Sequence, residues 1–183
     1  MLAGPGGRGA TVWLTGLPSA GKSTLARALA ERLRARGRRV EVLDGDEVRL
    51  FLSRDLGFSR EDRHAHVGRV GFVAQRLAAH GVMVLAPVIA PYAASRAAVR
   101  ARHAAHGTAF VEVHVATPVE VCGERDVKGL YARQAAGQLS GLTGVDDPYE
   151  EPCSPELRIG TTGRSVAGCA VQLEGFLAER GLV

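Results

Sequence analysis

Residues 16–24 read Gly-Leu-Pro-Ser-Ala-Gly-Lys-Ser-Thr, a glycine-rich run that ends in a lysine and two hydroxyl residues. From Gly16 to Ser23 the spacing is G-x-x-x-x-G-K-[ST]. Those types at that spacing suit phosphate. Glycines allow positive φ, so successive backbone N–H groups can turn toward one anion. A helix that begins there adds its positive dipole end. Lys22 can reach the outer phosphates, and the Ser23 hydroxyl can ligate Mg²⁺, whose other ligands are waters and phosphate oxygens. Leu17, Pro18, Ser19, Ala20, Gly21 and Thr24 complete the loop. The implied ligand is a nucleoside triphosphate.

A second constellation is "LDGDEVR", with Asp44, Asp46 and Arg49. Two carboxylates at a strand end can divide two tasks, holding Mg²⁺ and accepting the proton of an attacking hydroxyl. Arg49 lies one helical turn past Asp46 and can grip an anionic acceptor bidentately. The plainer alternative is a helix N-cap by Asp44 or Asp46, with Arg49 in a surface ion pair. The chain contains no asparagine, so the Asn-Lys-x-Asp guanine reader is absent. A small-molecule kinase is the leading class.

The elements that must hold these residues alternate. "TVWLT" reads as a buried strand, and Leu25, Leu29 and Leu33 recur at i, i+4 on the helix that follows. "RVEVLD" is a second strand, residues 61–79 a long helix and "GVMVLAPVI" a third strand, apolar throughout as in a parallel sheet covered on both faces. A helix over 93–106, a strand "AFVEVHVA", helices over 118–126 and 129–138, a strand near 157–159 and a helix over 165–180 complete the order. The irregular "SGLTGVDDPYEEP" has too many Gly, Asp and Pro residues for regular structure. This order predicts an α/β three-layer sandwich, a mostly parallel sheet flanked by helices, of the P-loop nucleoside triphosphate hydrolase/kinase type. One domain is expected over 1–183, with a flexible stretch at 1–10 and a mobile lid over about 128–152.

The bulk numbers fit. A chain of 183 residues with 46% hydrophobic content can bury a core. The net charge of +4 is modest, and Lys22 and Lys128 are the only lysines among 23 basic residues. The arginine run at 32, 34, 36, 38 and 39 reads as a solvated helix face, and scarce aromatics argue against nucleic acid. No stretch is long and apolar enough for a membrane, and the N-terminus lacks the core of a signal peptide. Three cysteines at 122, 153 and 169 form no metal spacing and no even set. A reduced, cytoplasmic protein is expected.

"WLTGLPSAGKST", "LDGDEVR", "LGFSREDR", "VIAPY", "EVHVATPVEVCGERDVKGLY" and "GLTGVDDPYEEP" occur in that order. Together they resemble the adenylylsulfate kinase family over about residues 11–160. The resemblance implies an enzyme that phosphorylates the 3′-hydroxyl of adenosine 5′-phosphosulfate with ATP. It implies that residues 16–24 hold ATP and Mg²⁺ and that Asp46 is the metal-linked acid or base. It implies that Arg49 and Arg63 bind the phosphosulfate and that Phe58 stacks on the acceptor adenine. By itself Phe58 would read as an ordinary core residue. Ile89 would contact the acceptor through its backbone, and Lys128 would touch phosphates from the lid. The lid would close over the acceptor and exclude water. The resemblance also suggests a homodimer, although no interface signature is evident.

Four departures from the family pattern stand out. The family's I-S-P-Y-R reads Ile89-Ala90-Pro91-Tyr92-Ala93, which removes a serine proposed as a phosphoryl carrier and an arginine. A lid phenylalanine becomes Leu142, which leaves Phe58 an apolar but non-aromatic partner. His66 replaces an asparagine, and Gly68 an arginine. His64 and His66 stand i, i+2 and share no helix face, so they make no metal pair. His66 is either a solvent-exposed substitution or an acceptor-site group titrating near pH 6.5. The alternatives in function are a P-loop kinase of a related nucleotide acceptor and a non-catalytic nucleotide-binding regulator.

Overall fold

The structure, a computed structural model, describes residues 8–183. Residues 1–7 of the stretch expected to be flexible lie outside the described residues, and Ala10 already opens the first strand. Five strands form one sheet: β1 (Ala10–Thr15), β2 (Val40–Val42), β3 (Met83–Pro87), β4 (Ala109–Val115) and β5 (Leu157–Ile159). All pairings are parallel, in the order β2-β3-β1-β4-β5. Among the described residues seven helices lie between and after them: α1 (Lys22–Ala35), α2 (Gly45–Leu52), α3 (Arg60–Ala79), α4 (Ala93–Ala105), α5 (Val119–Arg125), α6 (Leu130–Ala135) and α7 (Val166–Glu179). The alternating order read from the sequence is present, with α2 as an additional helix between β2 and α3.

β1 lies at the centre, and all six of its residues are buried. Successive side chains leave a strand on opposite faces. Val12 and Leu14 therefore join one core with Leu25, Leu29 and Leu33 of α1 and Leu173 and Leu177 of α7. Trp13 joins the other with Val67 and Val70 of α3 and Val99 of α4. Burying each such side chain stabilises the fold by about 1.5–3 kcal/mol.

Several elements are shorter than the sequence predicts. β2 stops at Val42 because Asp44 leaves the strand to cap α2, its carboxylate accepting from the Asp46 N–H at 3.1 Å. The helix expected over 129–138 is confined to α6. Asp126 turns with φ 26° and its carboxylate accepts from the N–H groups of Tyr131 and Ala132 at 3.1 and 2.9 Å, while Gly137 at φ 68° ends the helix. The 140–150 loop is irregular, as its composition predicts. It is nonetheless cross-linked: Asp146 accepts from the N–H groups of Gly141 and Leu142, and Gly144 N–H donates to Asp147 O.

Candidate active site

The phosphate loop joins the end of β1 to the start of α1. Gly16 has φ 154°, and a Cβ there would sit 2.5 Å from Val115 O on β4. Glycine is therefore required for the loop to pass the sheet. Ser19 has φ 60°, a left-handed conformation that L residues adopt at a cost and that recurs at functional sites. Lys22 is buried, and its ammonium donates to Gly16 O at 2.8 Å and Leu17 O at 2.7 Å. Burial, with Lys128 nearby, lowers its pKa from 10.5 to about 8.

Across the loop lies a cavity of about 590 Å³. Pro18, Ser19, Gly21, Lys22, Ser23 and Thr24 line one side, and Asp44, Asp46, Arg49, Phe58, Arg63 and His66 the other. Ile89, Lys128 and Leu142 also reach it. The residues singled out in the sequence thus converge, although they come from six separate segments. Gly16, Leu17 and Ala20 belong to the loop without lining this cavity. Leu17 packs instead toward Gly144, where a Cβ would meet its Cδ2 at 2.4 Å.

The two aspartates are unequal. Asp44 is the α2 N-cap and faces Arg27 at 3.5 Å, so its first task is structural. Asp46 sits in the first turn of α2, well exposed, and ion-pairs with Lys128. Lys128, in the turn between α5 and α6, thereby bridges from the expected lid to α2.

Phe58 is 68% exposed, which overturns its reading as a core residue. The Arg49 guanidinium lies 4.6 Å from its ring centroid. Arg49 donates to Gly57 O at 2.9 Å and keeps other N–H groups free to meet an anion. Arg63 is more committed. Its Nε donates to Phe58 O at 2.8 Å, Nη1 to Thr143 Oγ1 at 2.7 Å and Nη2 to Gly141 O at 2.7 Å, with Asp147 3.7 Å away. It joins the start of α3 to the 140–150 loop. Three of its five N–H donors are engaged in this way, and one N–H on each Nη is left to meet an acceptor anion.

His66 corrects the sequence reading twice. It is buried, 5% exposed, so the substitution is not a surface one. Its Nδ1 lies 2.9 Å from Ser53 Oγ, whereas His64 bonds Ser95 on α4, so the two histidines do face apart. Burial first, then Arg49, lowers the His66 pKa from 6.5 to about 4. An imidazolium titrating near pH 6.5 is therefore not what the cavity holds. His66 is neutral from pH 6 to 8, and the Michaelis constant for the acceptor is expected to show no His66 step there. The signature falls lower. As pH drops below 6.5 the unfolded chain binds a proton that the folded His66 refuses, so stability declines toward pH 4. Thermal unfolding of His66→Asn against the parent across pH 4–7 checks this, and a smaller decline is expected in the variant.

The sequence reading missed Arg125, Thr161 and Arg164, which line the cavity on the α1 side. Arg125 donates to Thr161 Oγ1 at 2.8 Å and Thr161 donates to Ala20 O at 3.2 Å, bracing the phosphate loop. Arg125 stands in "CGERD", where its charge was legible but its target was not.

A phosphate loop after the central strand, facing a carboxylate across a cavity at the carboxyl ends of a parallel sheet, defines a P-loop kinase. The family model for adenylylsulphate kinase matches residues 8–160. The adenylyl-sulfate kinase of Synechococcus sp. (strain JA-3-3Ab) is 52% identical over 164 residues, 90% of this chain and 91% of that one. The structure of the Mycobacterium tuberculosis APS kinase CysC in complex with AMPPNP and APS matches at TM-score 0.91 and 43% identity, covering 94% of this chain and 99% of that one. A hexameric APS kinase from Thiobacillus denitrificans matches at TM-score 0.74 and 41% identity, over 97% of this chain and 30% of the other. Its hexameric state differs from the dimer that the resemblance suggested. The chain belongs to the adenylylsulfate kinase family. No described helix is long and apolar enough to cross a membrane.

Proposed function

We propose that this chain transfers the γ-phosphoryl group of ATP to the 3′-hydroxyl of adenosine 5′-phosphosulfate. The observation that carries this reading is the single cavity shared by the phosphate loop, Asp46, the Arg49–Phe58 pair and Leu142. Relatives named for this activity, matching nearly end to end, support it.

In this reading residues 16–24 wrap the ATP phosphates, and Lys22 turns from the loop carbonyls to the outer phosphates. The acceptor adenine lies against Phe58 with Leu142 as an apolar wall, and Arg49 meets the phosphosulfate. Asp46 accepts the proton of the 3′-hydroxyl as that oxygen bonds to the γ-phosphorus and the bond to ADP breaks. Before this, Asp46 must exchange Lys128 for the hydroxyl, which frees Lys128 for phosphate. Mg²⁺ fits the hard oxygen donors present. Ser23 and Asp46 line one cavity, and among the described residues no cluster of three or more His, Cys, Asp or Glu could hold a metal alone. Ser23 and Asp46 would hold the ion together with phosphate oxygens, and its charge would offset that of the transferring group. We read 128–152 as a lid that covers the acceptor. A cytoplasmic site fits the three free cysteines.

The test is a coupled assay of purified enzyme with adenylylsulfate against CDP- and ADP-type acceptors. Adenylylsulfate is expected to be preferred. Turnover of another acceptor alone would redirect the reading, and ATP binding without any acceptor-dependent turnover would make the chain a regulator.

Ala90 sharpens the kinetics expected. It is buried and carries no nucleophile, in place of the serine of the family pattern that the chain resembles. The phosphoryl group must pass directly between two bound nucleotides. Initial rates are therefore expected to be sequential, with no phosphoenzyme after incubation with labelled ATP alone. Parallel double-reciprocal lines would contradict direct transfer.

A further inference from the structure

Residues 89–93, between β3 and α4, are joined one after another to residues 147–150. The Thr15 hydroxyl donates to Ile89 O at 2.5 Å and lies 3.0 Å from the Tyr149 hydroxyl. Arg96 Nη1 donates to Ala90 O at 2.7 Å, and Nη2 donates to Glu150 O at 2.6 Å. Glu150 N–H donates to Pro91 O at 2.8 Å. The Tyr92 hydroxyl donates to Asp147 Oδ2 at 3.4 Å, and Ala93 N–H, at the start of α4, donates to Glu150 Oε2 at 2.7 Å.

Arg96 holds the middle of this seam. It sits in the first turns of α4, is 3% exposed, and its guanidinium donates to the backbone of both segments. Its Nε faces Glu112 Oε1 on β4 at 2.8 Å. Glu112 is steadied in turn by Arg100 at 3.0 Å, and Arg100 pairs with Glu156. The buried charge is thus balanced and its fork geometry set. One carbonyl it grips belongs to Ala90, whose φ of 44° is strained for an L residue. Strain of this kind persists only where neighbours over-determine it, and the Arg96 bond is such a constraint.

We propose that Arg96 is a positioning residue for the acceptor. It holds Ala90 in its left-handed turn and fastens the root of the 140–150 loop to residues 89–93, so that two walls of the acceptor cavity keep one spacing. The proposal rests on the reading that Ile89 and Leu142 flank the acceptor. A buried pair that served stability alone would not discriminate between the two substrates. A positioning residue would, because none of the bonds of Arg96 reaches residues 16–24.

The test uses the full chain carrying Arg96→Gln with Glu112→Gln, which removes the two facing charges together and leaves Arg100 its Glu156 partner. The KM for adenylylsulfate is expected to rise about tenfold and kcat to fall, with the KM for ATP within about twofold of the parent, since small misplacements at a reacting site are costly. Hydrogen exchange at residues 147–150 and at Ala93 is expected to speed up together. Adding Ala90→Gly, which accepts φ 44° without strain, is expected to recover part of kcat. If the double variant does not fold, Arg96→Lys keeps the charge but loses the fork, and the same acceptor-selective rise is expected. Equal shifts in both KM values, constants unchanged in folded protein, or exchange unchanged at 147–150 would overturn the proposal. The exchange measurement needs no acceptor. If exchange couples as described but the parent does not use adenylylsulfate, the functional reading fails while the seam stands.

Discussion

Lys22→Ala is expected to lower kcat/KM by on the order of 10³-fold, the scale of removing a preorganised donor to developing charge. Lys22 is the only ammonium inside the phosphate loop, and its burial beside Gly16 O and Leu17 O holds it there. Folding is expected to survive. The folded pKa of about 8 lies below the ordinary 10.5, so at neutral pH the buried charge costs the folded state about 3 kcal/mol. Losing that cost offsets the two hydrogen bonds removed, and the melting temperature is expected to stay within a few degrees. The same shift sets a pH limit. Without ATP the ammonium loses its proton as pH rises through about 8, and bound phosphates raise the pKa again. The parent's KM for ATP is therefore expected to climb above pH 8 more steeply than kcat falls. Near-normal turnover of Lys22→Ala would end the P-loop kinase reading.

Asp46→Asn is expected to cost 10²–10⁴-fold in kcat, the usual range for a general base, and Asp44→Asn less than about tenfold. The contrast follows from geometry. Asparagine caps a helix nearly as well as aspartate, so α2 survives at position 44. The lost partner there, Arg27, is 70% exposed at 3.5 Å, a pair that contributes little. At position 46 the amide keeps shape but cannot take a proton, and Lys128 loses its ion pair. Single-turnover rates of both variants separate chemistry from binding. A larger loss at Asp44 would reverse the two roles.

What could be read from the chain in advance was local. The phosphate loop, the leucine period of α1, the strand–helix alternation and the capping aspartate are each set by neighbours within a few positions, and each stands in the structure. What could not be read is long-range. Arg96 lies in "AASRAAVRAR", which looks like a solvated helix face, yet the arginine is buried because Glu112, 16 residues on, faces it from β4. Arg63 was identified by motif, but its bonds to Gly141 and Thr143 span about 80 positions. His66 appeared in a polar run, and the Ser53 hydroxyl that buries it comes from the end of another helix. Phe58 was placed at the acceptor by the motif alone, since apolar character by itself says core, whereas the structure leaves it exposed in the cavity lining.

The 128–150 stretch is tied to the body along its length, by Arg63 in the middle and by ties of different character near its two ends. Near residue 128 the ionic tie is Lys128 to Asp46, with both side chains more than half exposed, beside the Tyr131 hydroxyl bond to Pro18 O. Near residue 150 the tie is a set of short bonds around a buried guanidinium. Dissolved ions screen exposed charges over a Debye length of about 8 Å at physiological ionic strength and reach buried ones far less. Added salt therefore loosens the first tie and spares the second. The ionic strength around the enzyme acts on the ionic tie near residue 128 far more than on the buried bonds near residue 150.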